Sequence, residues 1–463
     1  MVLVFAAVFV TIMIGLSGFI FVQNKASISK ENREKALQVA EAGLQYYKWF
    51  LAHNPGDLTD GTGAPGPYVH DYYDPEGGSI GEFSLEVNGN SSCGNTISID
   101  ITSTGIMKND PLISRKVFGK YSRPSVAEYA YIINTNVWAG SDRTISGKYH
   151  SNGGIRMDGT NESIVTSAVK DWLCTTSFGC TPDKAVDGIF GISPNSHLWK
   201  FPTEQVDFTG IVQDFVNMKT QAQDSGLYFG PVGGESNQRG YHVILRSDKT
   251  ADVYKVTRTK YHWGIHIDDL AAGWKKDYYT IDKETFLGNY AIPQNCSLLF
   301  FEDKIWIEGE VSGKVTVASA DVSQPNYDPD VIINGNITYT STDGTDGLTV
   351  LAENSILVPL YAPNDLEISG ILIAQKGYFG RNLYGCWYAP YDKRNSLTMT
   401  GTIVSNERVG TKWGYTSWPS CINEWSGFDT RINSYDRKLA TDPPPLTPFV
   451  DDEYSFIEWR EVE

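Results

Sequence analysis

Over its first fifty residues the chain changes pattern once. Met1 to Val22, "MVLVFAAVFVTIMIGLSGFIFV", carries no charge, and a helical run of about 20 apolar residues is what crosses the hydrocarbon layer of a bilayer. Beyond Lys35 the apolar positions Leu37, Ala40, Leu44, Tyr47 and Leu51 step by three or four, with Glu31, Lys35 and Gln38 on the opposite side. That is the pattern of an amphipathic helix. The two patterns join without a breaker, so one helix of about fifty residues, about 75 Å long, is expected. It ends at "HNPGDLTDGTGAPGP", where Pro55 and the glycines behind it cannot propagate a helix.

From residue 80 the period becomes two. "IGEFSLEVN", "TISIDITSTGI" and "LISRKVFGKY" are strand-like runs between turn residues, and Ile97, Ile99 and Ile101 alternate with Ser98, Asp100 and Thr102. Such alternation marks half-buried antiparallel strands. Three of them need a second layer to bury the apolar face, and the amphipathic half of the helix supplies it. "SRPSVAEYA" then leads into a further body.

In that body a glycine flanked by apolar residues recurs, at Gly147, Gly309, Gly335, Gly370 and Gly401, the last four spaced by 26, 35 and 31 residues. This spacing suits coils of a right-handed parallel β-helix with variable loops; a β-sandwich or irregular barrel is the alternative. Within 200–260, Ile211, Phe215, Met218 and Ala222 fall at helical spacing and "GYHVILRSDKTADVYKVTRT" reads as a hairpin. Together they are expected to cover one end of the body. The expected fold is mainly β with a long N-terminal α-helix. The helix takes 1–53, with 1–22 as its membrane half and 23–53 as its amphipathic half; a small β head takes 54–125, and a β-helical, β-rich domain takes 126–463.

Composition adds limits. A chain of 463 residues holds two or three domains. With 38 Lys plus Arg against 55 Asp plus Glu, the net charge is 38 − 55 = −17, a field that disfavours nucleic acid. The 44 Gly, 26 Tyr, 20 Phe and 12 Trp fit turn-rich β structure and not a helical bundle. Of six cysteines, Cys174 with Cys180 and Cys386 with Cys421 read as disulfides, with buried free thiols the alternative; Cys93 and Cys296 stay open between free thiols and a mutual bond. The cysteines imply an oxidising compartment. Lys25, Lys30, Arg33 and Lys35 follow the apolar run, which by the positive-inside rule alone places the body in the cytoplasm; the cysteines point outside.

The uncharged apolar start, with "AEAGL" at Ala40 to Leu44 about forty residues in, resembles the type IV pilin plan, and in particular the PilX-type minor pilins and pilus-assembly proteins. The body is similar to their long C-terminal region in "HSNGGIRMDGT" (His150 to Thr160), "IWIEGEVSGKVTVAS" (Ile305 to Ser319) and "DPPPLTPFVDDEYSFIEW" (Asp442 to Trp459). The resemblance implies a pilin-like α/β head. It implies that Val2, Phe5, Val8, Ile12, Leu16 and Phe19 sit in the inner membrane and then in a filament core. Leu37, Ala40, Leu44, Tyr47 and Leu51 would pack beneath the head, while Ala40 and Gly43 admit close helix neighbours. The implied partners are other pilin subunits, the pilus assembly machinery and a surface glycan or protein ligand, the implied location an extracellular pilus. Phe5 stands where major pilins carry an acid, and no basic leader precedes the run, so a processed or truncated start is expected.

No HExxH, GxSxG or phosphate-binding loop occurs in a usable context. His262, His266 and Asp268 in "HWGIHIDD" offer nitrogen and oxygen ligands, and Asp343 and Asp346 in "STDGTDG" resemble a calcium loop without its closing Glu; a structural group and a turn are the plainer readings. Glu302, Asp303, Glu308 and Glu310 lie close enough in sequence for a glycosidase-like pair, yet nothing singles them out. The aromatics Tyr384, Trp387, Tyr388, Trp413 and Trp418, near Cys386 and Cys421, are the better clue, since flat rings on a constrained loop stack on sugars or anchor a protein. The expected role is pilus assembly and surface adhesion, with no catalytic residue, cofactor or metal. The rival reading is a membrane-anchored β-helix enzyme acting on polysaccharide; a third is an envelope scaffold.

Overall fold

The computed structural model describes residues 1–463 except 55, 212–213, 268–271, 324–326, 415–420, 422–424, 451–453 and 463. The chain forms two units. The first takes Met1–Ser91, Thr96–Arg123 and the C-terminal strand; the second takes Ser92–Asn95 and Pro124–Asp452.

In the first unit, helix α1 (Val2–His53) is one uninterrupted element of 52 residues. Its apolar first half meets nothing: Val2 to Val22 are exposed throughout. Burial begins at Asn32 and follows Ala36, Val39, Ala40, Gly43, Leu44, Tyr47, Phe50 and Leu51, the three-and-four stepping of one helix face. That face lies on a five-stranded sheet in the order β1 (Tyr68–Tyr73), β2 (Ser79–Ser92), β3 (Asn95–Met107), β4 (Asp110–Ser122) and the C-terminal strand Ser455–Val462. Its inward residues Phe83, Leu85, Ile99, Ile101, Val117 and Tyr121 share one core with the helix stripe.

The first unit corrects the sequence reading in three ways. The sheet has five strands and not three, because "YVHDYY" was hidden in a Gly- and Pro-rich stretch. The second correction is that Ser455–Val462, read as part of 126–463, pairs antiparallel with β4. Phe456 and Tyr454 pack on the Tyr121 ring at 5.2 and 5.3 Å, and a Cβ at Gly119 would meet the Phe456 ring at 2.8 Å. A returning strand thus covers what would otherwise be an open sheet edge. Finally, Gly43, expected to admit a helix neighbour, faces the sheet beside Ala40: a side chain at Gly43 would strike Phe83 and Ser103, and one at Gly105 would strike the Ala36 carbonyl and the Ala40 backbone. The small residues bring helix and sheet together.

Among the described residues the second unit is built on a mixed sheet of 22 strands that does not close; a parallel solenoid is not shown by this pairing. Its long runs are parallel. Leu298–Phe301, Lys314–Ser319, Gly347–Ala352, Asp365–Ala374, Lys393–Ser405, Tyr129–Ile133, Lys148–Ser151 and Val165–Ser167 pair in that order. Register keeps like with like: Leu299, Val317, Val350, Leu372, Ile403, Tyr131, Tyr149 and Val165 are successive partners and all lie in one core. The opposite face, Phe300, Ala318, Leu351, Ile373, Val404 and Ile132, is buried in a second core. Burial on both faces explains why these strands read as continuous apolar runs such as "LLFF" and "ILIA".

The ladder does not follow sequence order. Tyr129–Ile133, first in the body, pairs with Lys393–Ser405, near its end, so the strand carrying Gly401 lies one strand away from Lys148–Ser151, next to Gly147, although the two are far apart in sequence. Gly370 and Gly401 are register partners, with φ of 152° and 135°; a Cβ on Gly401 would run into the Gly370 backbone. Here the repeated glycine is required by close backbone approach. The helix Phe215–Asp224, capped by the Asp214 carboxylate accepting from the Val216 and Asn217 amides, lays Phe215, Met218 and Ala222 on the second core. It covers a face of the ladder and not an end. The expected hairpin pairs Gly240–Arg246 with Thr250–Ile265, and Trp274–Ala291 extends it antiparallel.

Candidate functional site

All six cysteines are bonded, as Cys174–Cys180, Cys386–Cys421 and Cys93–Cys296. The open question over Cys93 and Cys296 is answered by a bond that spans 203 residues of sequence, a separation from which no pairing can be read.

In the first unit, Val2, Phe5, Val8, Ile12, Leu16 and Phe19 are exposed large apolar side chains on one helix. The helix is long and apolar enough to cross a membrane. Farther along, Ala40, Leu44, Tyr47 and Leu51 are buried against the sheet and Leu37 is half-buried.

The aromatic set from the sequence divides. Trp387 is exposed and Tyr388 half-buried, but Tyr384 is fully buried and Trp413 half-buried, its indole Nε1 donating to the Arg381 carbonyl at 2.8 Å. Trp418 lies outside the described residues. The correction has a physical cause. Arg381, completely buried, donates to the carbonyls of Tyr391 (2.7 Å), Asp392 (3.0 Å) and Leu360 (3.3 Å), so the chain around Tyr384 folds inward about a guanidinium. Burial pushes the Arg381 pKa down to about 10, which leaves it charged at neutral pH. The neighbouring Asp277 carboxyl is pushed up to about 6 by burial, partly offset by Tyr384, Asn382 and Arg381.

What this packing brings to the surface is Tyr361 and Tyr391, which the sequence reading did not place together. They are 42% and 45% exposed, with rings edge-to-face at 4.7 Å. Tyr361 also meets the buried His262 edge-on at 5.1 Å. Arg381 and Arg394 both donate to the Leu360 carbonyl, fixing the backbone beside it. No local pattern marks Tyr361 in "VPLYAPND".

Tyr361 lines a groove of about 380 Å3 together with His242, Thr280, Asp282, Glu284 and Asn334. His242 sits between two carboxylates, Nδ1 at 2.9 Å from Glu284 and Nε2 at 2.9 Å from Glu308. Asn334 donates to the same Glu308 oxygen at 2.9 Å. Only a doubly protonated ring donates from both nitrogens. Burial opposes the charge, but the two carboxylates outweigh it and hold the His242 pKa above its ordinary value; Glu308, hydrogen-bonded by His242, lies below the usual carboxylate range. The imidazole occupies the gap between Glu284 and Glu308, so these acids do not flank open space as a glycosidase pair does.

The sign of the pH dependence follows. A raised His242 contributes stability fully below its unfolded pKa of about 6.5, and loses it as pH rises through the folded value. A lowered Glu308 contributes above its unfolded value of about 4.3, and loses it as pH falls through the folded value. The trio therefore contributes most between these limits. In urea denaturation, His242→Gln is expected to cost more stability at about pH 6 than at about pH 8.5; an equal cost at both refutes the bridged ring.

The remaining acids are paired or exposed. Glu302 accepts from Lys219 at 2.8 Å and from the Tyr228 hydroxyl. Asp303 takes Tyr327 at 2.9 Å and Arg239 at 3.0 Å, and Glu310 is exposed. Asp343 and Asp346 accept from Thr345, Gly313 and Ser341 within and beside their turn. His262 is buried, and Asp268 lies outside the described residues; among the described residues no group of three or more His, Cys, Asp or Glu is arranged to hold a metal.

No protein-family profile matches the chain, and no curated protein matches its sequence. Among solved structures it is similar to the competence-associated pilin ComZ from Thermus thermophilus, at 13% identity over 93% of this chain and 97% of that one, with a TM-score of 0.35. That superposition is too loose to fix either fold or role.

Proposed function

We propose that the chain is a type IV pilin-like subunit of the PilX-type minor pilin kind, which works by assembly and surface contact and not by catalysis. The observation that carries this reading is α1: one helix bare and apolar over its first half and seated on an antiparallel sheet over its second. Bare apolar side chains in such number need lipid or other helices around them. Moving from bilayer to a bundle of like helices exchanges one apolar surrounding for another, so extraction is tolerable. In this reading the partners are other pilin subunits and the assembly machinery, and the subunit passes from the inner membrane to an extracellular pilus. The second unit is a β-helical body carrying the adhesive surface, a reading supported by its long parallel ladders and in-register apolar stacks. The three disulfides agree with an oxidising location.

The test is incorporation into sheared surface filaments. A charge at mid-helix costs about 3 kcal/mol in an apolar surrounding, so Leu16→Arg is expected to reduce incorporation by about tenfold or more. Incorporation at the wild-type level overturns the subunit reading.

A further inference from the structure

The groove beside Tyr361 has a chemistry of its own. At about 380 Å3 it falls within the range of small-ligand sites, roughly 300–1,000 Å3. One wall is a flat, exposed phenol ring. The lining also carries a hydroxyl, an amide and carboxylates, at Thr280, Asn334, Asp282 and Glu284, with Asp282 paired to Arg258 and Glu284 to His242. A sugar ring presents the complement: an apolar C–H face for the aromatic ring and a belt of hydroxyls for the polar side. The three carboxylates Asp282, Glu284 and Glu308 outnumber the adjoining cations Arg258 and His242 by one, which together with the net charge of −17 disfavours phosphate-bearing and acidic ligands. A purely apolar ligand would strip water from these polar groups and leave their remaining hydrogen-bonding capacity unmet.

The site is also set before any ligand arrives. Tyr361 is braced by Tyr391 and His262, and the adjoining Leu360 carbonyl is held by two guanidinium groups. Asn334 is tied to Glu308, which is tied to His242, which is tied to Glu284. A Cβ at Gly335 would run into the Glu308 carboxylate, so the backbone there leaves room for this chain of contacts. Little side-chain entropy remains to be lost on binding.

We propose that this groove binds neutral or amine-bearing saccharides, with Tyr361 as the stacking wall and Asn334, Glu284, Asp282 and Thr280 as hydroxyl partners. It rests on the surface-contact part of the function proposed above and names the ligand class and the place. The sugar is bound and not cleaved.

The experiment uses the full chain in detergent micelles, titrated calorimetrically with neutral hexose oligomers, chitosan oligomers, oligogalacturonates and a lysine-rich peptide. A neutral or amine-bearing oligosaccharide is expected to bind and the oligogalacturonate is not. Tyr361→Ala should weaken binding by about tenfold or more, whereas Tyr361→Phe, which keeps the ring, should stay within about twofold. The inference is overturned if no neutral or amine-bearing sugar binds, if the oligogalacturonate binds as well, if the peptide alone binds, or if Tyr361→Ala leaves affinity unchanged. Filament incorporation separates the two readings. Tyr361→Ala chains that enter filaments normally while the wild type binds no sugar overturn the groove alone; wild-type incorporation of Leu16→Arg overturns the subunit reading alone.

Discussion

Gly105→Val is expected to destabilise the first unit by about 3 kcal/mol, a severe overpacking cost. Strand β3 passes under α1 at Gly105, and the first side-chain atom there would strike the Ala36 carbonyl and the Ala40 amide, with the Ala40 Cα at 3.1 Å. These are backbone atoms of a regular helix, so no rotamer change relieves the clash. The helix must lift, taking Leu44 and Tyr47 off Ile99 and Ile101 in the shared core. Denaturant unfolding of the detergent-solubilised chain reads the effect, and Gly105→Ala should fall between wild type and Gly105→Val. A change below about 1 kcal/mol for valine would show that the helix does not lie this close.

Arg381→Met is expected to cost the second unit about 3 kcal/mol or more. Hydrogen bonds to a charged group contribute about 1.5–3 kcal/mol each, and Arg381 makes one to each of three buried or part-buried carbonyls. The losses are unequal. Leu360 keeps Arg394, and the Asp392 carbonyl keeps Gly427 and Ser426, whereas the Tyr391 carbonyl loses the Arg381 guanidinium at 2.7 Å. The segment carrying Tyr388 and Tyr391 should therefore loosen first and become the earliest site of proteolysis. Arg381→Lys should rescue little, since a single ammonium cannot reproduce the planar fork. Wild-type denaturation and proteolysis of Arg381→Met would remove the guanidinium from its organising role.

Much of this molecule is legible one element at a time. The helix from Val2 to His53 follows from local pattern, as does the burial of Ala40, Leu44, Tyr47 and Leu51 on its second half. So do β2, β3 and β4, where alternation is clear, and the apolar character of the parallel strands. Of the repeated glycines Gly370 and Gly401 are partners in register, whereas Gly309 pairs with Ile337.

What depends on distant residues is not legible in this way. Tyr384 and Trp387 are three residues apart in one aromatic segment, yet one is buried and the other exposed. The difference is set by Arg381 and the carbonyls it gathers, and aromatic content carries no sign of it. Tyr361, His242, Glu284 and Asn334 come from four separate segments, each unremarkable in its own sequence neighbourhood.

The sequence by itself determined the elements: the apolar-to-amphipathic helix, the antiparallel head strands and the apolar strands of the body, because periodicity and side-chain polarity act over a few residues. Only the tertiary structure decided the pairings: Ser455–Val462 beside β4, Tyr129–Ile133 beside Lys393–Ser405, Cys93 with Cys296, and the groove beside Tyr361. Backbone hydrogen bonding accepts many partners, and the choice among them rests on burial summed over the whole chain, which no short stretch contains.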